Sequence, residues 1–90
     1  MKIWARVMHA QKIERDLVQT FDGARPTDTF GWDAVLTELC RPLDLARPVL
    51  LQKHLRELEQ FNRTAFRPSD FMEEVPFDRF EIELIIEKKK

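Results

Sequence analysis

Three features of this 90-residue sequence predict an α+β fold of order ββααβ. Residues alternate with period two near both ends, at Ile3, Ala5 and Val7 and again at Phe80, Ile82 and Leu84. Between them Trp32, Val35, Leu36, Leu39, Cys40 and Leu43 recur at helical spacing. Prolines 26, 42, 48, 68 and 76 punctuate the rest. The pattern predicts a three-stranded antiparallel sheet in the order 2-1-3, with two helices packed on one face.

The first strand places Ile3, Ala5 and Val7 on one side and Trp4, Arg6 and Met8 on the other. His9, Ala10, Gln11 and Lys12 form the turn, without the Asn-Gly signature of a tight hairpin. Residues 13–21 give a second strand with charge on both faces, which suits a sheet edge because charge blocks edge-to-edge pairing. A loop with Gly23 and Pro26 follows, and residues 27–29 offer oxygens to cap the first helix. Pro42 cannot continue the hydrogen-bond ladder, so that helix ends at or before Arg41. Pro48 suits the first turn of a second helix, where its missing N–H would have no partner. Leu51, Leu55, Leu58 and Phe61 form its apolar stripe, and Asn62, Arg63 and Thr64 close it. Residues 66–69 read as a loop, with Ser69 capping a single turn over 70–73. The last strand, 77–87, sets Phe80, Ile82, Leu84 and Ile86 against Glu81, Glu83 and Ile85. The chain reads as one domain with a solvated tail at Lys88, Lys89 and Lys90.

The charges, 34% of the residues, nearly cancel to a formal −1, so no global field attracts nucleic acid or an anionic membrane. Cys40 is the single cysteine, which excludes an internal disulfide and suits a reducing compartment. Arg6 interrupts the N-terminal apolar residues before they reach signal-peptide length, and no run is long enough for a membrane helix. A cytoplasmic location is the expectation.

Leu43-Asp44-Leu45, Pro48-Val49-Leu50-Leu51 and the helix reaching Arg63 form a pattern that resembles a family of short uncharacterised proteins widespread in Gram-positive anaerobic bacteria. It continues through Phe66, Asp70-Phe71-Met72-Glu73-Glu74, Phe77-Asp78 and Glu81-Ile82-Glu83-Leu84-Ile85. The first two strands are similar in pattern. Leu50 departs where Trp is common, and Pro42 where the helix end is acidic or aromatic. The family brings no assigned activity, so the resemblance implies no catalytic or binding residue.

No catalytic constellation emerges, and an enzyme is not expected. His54 and Glu57 sit at i, i+3, but two ligands on one helix do not close a metal site. Cys40 lies on the apolar stripe, where a thiol is poorly reactive. Gly23 and Gly31 alone build no phosphate-cradling loop. Glu81 and Glu83 lie about 7 Å apart on one strand face, a separation compatible with glycosidase chemistry, but a small flat sheet offers no sugar cleft. Solvated carboxylates paired with Arg6 are the simpler reading. No cofactor, metal or small-molecule ligand is predicted.

Two surfaces are candidates for partners. On the outer sheet face, Trp4, Met8 and Ile85 supply apolar anchors, framed by Arg6, Glu81 and Glu83. Such a patch points to a protein partner, with a homodimer first in line. The alternative is a nucleic-acid contact through Lys53, Arg56, Arg63 and Arg67, with Arg56 and Arg63 on one helix face and Phe66 and Phe71 able to stack on bases.

Overall fold

The computed structural model describes residues 1–86. The predicted solvated tail, Lys88 to Lys90, and Glu87 lie outside the described residues. Two strands, β1 (Lys2–His9) and β2 (Lys12–Thr20), are followed by helices α1 (Thr29–Cys40) and α2 (Gln52–Phe61), then by β3 (Arg63–Phe66) and β4 (Arg79–Leu84). The α+β class and both helices match the sequence reading. The sheet does not: it has four antiparallel strands in the order β2-β1-β4-β3. The last strand lies beside the first as predicted, but the unforeseen β3 flanks it on the far side.

The hairpin between β1 and β2 turns on two residues, Ala10 and Gln11, with φ of 52° and 64°. Two consecutive positive φ values give the twist that right-handed strands need, here without glycine. Asp78 braces the turn: the Ala10 amide donates to its carboxylate (2.7 Å), and its own amide donates to the Met8 carbonyl (2.9 Å). The pairing shifts by one residue between Val7 and Met8, so Glu14 has no opposite number. This bulge returns Ile13 to the same side as Val18.

In α1 the N-cap is Asp28, whose carboxylate accepts from the Gly31 amide (2.9 Å). A Cβ on Gly31 would stand 2.8 Å from that of Pro26, so glycine lets the preceding loop lie on the helix. The helix ends before Pro42, as predicted.

Helix α2 starts later than Pro48. That proline is buried in a segment without regular secondary structure, and the next amide, Val49, donates across the molecule to the Asp70 carbonyl (2.7 Å). A long-range hydrogen bond has displaced a local first turn. Asn62, at φ 59°, stops the helix in the left-handed region and releases the chain into β3. Arg25 covers the exposed carbonyls there, donating to Leu58 O and to Asn62 Oδ1 (2.6 Å). The single turn is a 3-10 turn at Pro68–Asp70; Asp70, not Ser69, caps it by accepting from the Arg67 amide (2.9 Å).

The core lies on one side of the sheet. Ile3, Ala5, Val7, Phe80, Ile82, Leu84 and Phe66 meet Trp32, Leu36, Leu39 and Leu58 from the helices. Residues 67–78 close this core side, where Phe71 and Phe77 pack edge to face with centroids 5.3 Å apart.

Candidate interaction surface

The opposite face of the sheet carries no helix, and its residues follow from the strand registers. One row runs Val18, Trp4, Glu83, Arg63; the next runs Asp16, Arg6, Glu81, Ala65; a third runs Ile13, Met8, Arg79. Its β1–β2 half is apolar apart from Asp16 and Arg6 in the middle and Lys2 and Thr20 at one end. Its β4–β3 half is charged.

Arg6 organises this face. Its guanidinium lies 4.1 Å over the centre of the Trp4 ring, and it reaches Glu81 (3.0 Å) and Glu83 (3.2 Å). Arg79 meets the other oxygen of Glu81 (2.9 Å), and the Trp4 indole N–H donates to Asp16 (2.9 Å). The Arg6 side chain is 12% exposed, so these contacts are less screened than an ordinary surface pair. Both carboxylates are thereby engaged as ion-pair acceptors.

The structure thus brings Trp4, Arg6, Met8, Glu81 and Glu83 together. Ile85 is half-buried at the end of this face, near Met1, Lys2 and Thr20. Ile86, predicted to point inward, is exposed. Val18 and Ile13, 55% and 47% exposed, belong to the apolar half and were not read from the sequence. A two-residue turn alone sets Ile13 opposite Met8 but would leave Leu17 opposite Trp4; only the bulge brings Val18 opposite Trp4 and onto the same face as Ile13.

The basic set is dispersed. Lys53 and Arg56 are exposed on α2, whereas Arg63 stands on β3 and Arg67 just beyond it. Arg56 and Arg63 therefore do not share a helix face, because Asn62 ends the helix between them. Phe66 and Phe71 lie in the core and cannot stack on bases.

Two titratable groups are buried elsewhere. His54 is fully buried against Phe66 (centroids 4.4 Å); its Nδ1 accepts from the Leu51 amide (2.9 Å) and its Nε2 stands 3.5 Å from Asp70. Burial holds its pKa below the ordinary histidine value, with Lys53 adding to the shift and Asp70 and Glu57 opposing it. Glu57 accepts from the Thr64 hydroxyl (2.6 Å) rather than joining His54 as a ligand pair. Cys40 is buried in the core, which pushes its thiol up to about 11. Among the described residues no cluster of three or more His, Cys, Asp or Glu side chains could hold a metal ion. No helix there is long and apolar enough to cross a membrane.

Comparison with known proteins found no matching family model, no similar curated protein and no similar solved structure.

Proposed function

We propose that the protein is a non-enzymatic interaction module that forms a twofold dimer through the open face of its sheet. One observation carries the reading: the register makes this face complementary to itself. A twofold axis through Arg6, across the strands, sets Val18 against Ile13 of a second copy and Trp4 against its Met8. The same operation sets Glu83 against Arg79. Apolar groups then meet apolar groups and Glu83 meets Arg79, while Asp16, Arg6 and Glu81 lie on the axis, each already engaged by a partner within its own chain. Each large side chain removed from water would contribute about 1.5–3 kcal/mol. A reducing, cytoplasmic setting suits the lone buried thiol of Cys40.

Isotope-filtered NMR on a mixed labelled and unlabelled sample tests the arrangement. Trp4 and Met8 of one chain are about 13 Å apart along an extended strand, too far for a cross-peak. An indole-to-methyl cross-peak between them therefore reports the dimer. Val18→Lys, at an exposed position, should abolish the cross-peak and yield a monomer by light scattering. A wild-type protein that stays monomeric at NMR concentrations would end the proposal.

A further inference from the structure

We propose that the free edge of β3 is a strand-addition site for an extended, acidic segment of another protein. The strand order leaves β3 unpaired on its outer side. The Leu84 amide donates to the Asn62 carbonyl (2.7 Å), and the Ile85 amide donates to the Lys2 carbonyl (2.9 Å). Alternation along antiparallel pairs then directs the main chain of Thr64 and Phe66 toward β4. The N–H and C=O groups of Arg63 and Ala65 point away from the sheet. Unpaired main-chain groups of this kind are a template for another extended chain.

A groove of about 290 Å³ lies beside this edge. Glu57 and Phe61 of α2 form one wall, Arg63, Thr64 and Ala65 the floor, and Arg6 and Glu81 the far side. Its volume is at the lower end for a small-molecule pocket and suits a side chain of an added strand. Phe61 is 62% exposed, an apolar wall without a cover among the described residues.

Charge selects the occupant. The groove's own carboxylates are engaged, Glu57 by Thr64 and Glu81 by Arg6 and Arg79. Arg63 and Arg67 are exposed and form no ion pair among the described residues. Arg67 continues the extended backbone (φ −90°, ψ 164°), so residues 63, 65 and 67 share one side. A second copy paired antiparallel about Ala65 would set Arg63 against Arg67, and like charges directly opposite are destabilising. An acidic strand meets a cation at each end instead. The site borders the proposed dimer face and shares Arg6, Glu81 and Arg63 with it, but its main-chain hydrogen bonds run in the plane of the sheet, past β3, rather than out of that face.

Titration of ¹⁵N-labelled protein with a blocked peptide of alternating Val and Glu tests the site. The amides of Arg63 and Ala65 should shift and exchange more slowly, and a Val/Lys peptide should bind roughly tenfold weaker or less. Arg63→Glu combined with Arg67→Glu should reverse that preference, and Ala65→Pro, which removes one outward N–H, should abolish binding. The charge reversal is at exposed positions, so it carries the test even if the proline variant fails to fold. Running the series on Val18→Lys as well separates the edge from the dimer face. Four results would overturn the proposal: no shift with either peptide; equal binding of both; concentration-dependent shifts at Arg63 and Ala65 without peptide; or stronger shifts there with a single-stranded oligonucleotide.

Discussion

His54 ties three parts of the molecule together, and replacing it makes the tie measurable. The ring is fully buried, packs on Phe66 and accepts the Leu51 amide at the start of α2. His54→Ala removes a helix-terminal acceptor, costing about 1 kcal/mol, and a buried ring, costing at least about 2 kcal/mol more. The expected loss is about 3 kcal/mol, a large share of the roughly 5–15 kcal/mol that holds a domain together. His54→Asn keeps an acceptor at the Nδ1 position and should recover part of that loss. Acid should expose the titration. Burial lowers the folded-state pKa, so between the two pKa values the unfolded chain binds the extra proton. Stability is then fully present above the unfolded value, near pH 6.5, and is lost as pH falls toward the folded value. The slope in that window is at most about 1.4 kcal/mol per pH unit. Urea unfolding between about pH 5 and 8 should give a wild-type curve that falls in acid and a flatter one for His54→Asn. His9 is common to both proteins and cancels in the difference. Parallel curves, or a wild type stabilised by acid through a charged His54–Asp70 pair, would refute the reasoning.

Gln11→Gly should stabilise the hairpin by about 0.5–1 kcal/mol in urea unfolding, because Gln11 holds a left-handed φ that glycine adopts without strain. No gain would mean that the turn is not the left-handed pair described. Cys40, held protonated by burial with a thiol pKa of about 11, should label slowly with a thiol reagent near pH 8 and at a rate that follows unfolding when urea is added. Immediate labelling of the native protein would contradict its place in the core.

Local signals decided much of this fold. Alternation at residues 3–8 and 80–84 needs only the two-residue repeat of a pleated strand, and the α1 stripe needs only the helical repeat, so both survive without knowledge of neighbours. Pro42 stops α1 for a reason contained in its own ring. Other features depended on partners distant in sequence. β3 is four residues long, too short for its Arg-Thr-Ala-Phe alternation to stand apart from a loop, and it exists because β4 offers it hydrogen bonds. Pro48 lies outside α2, and Val49 beside it bonds to Asp70, twenty-one positions away. The row from Val18 through Trp4 to Glu83 and Arg63, on which the proposed dimer face turns, required a two-residue turn, a bulge and the strand order. Periodicity assigns a residue to a face of its own element. Only the pairing of elements assigns it neighbours, because register is fixed by long-range hydrogen bonds and shared burial that no local window contains.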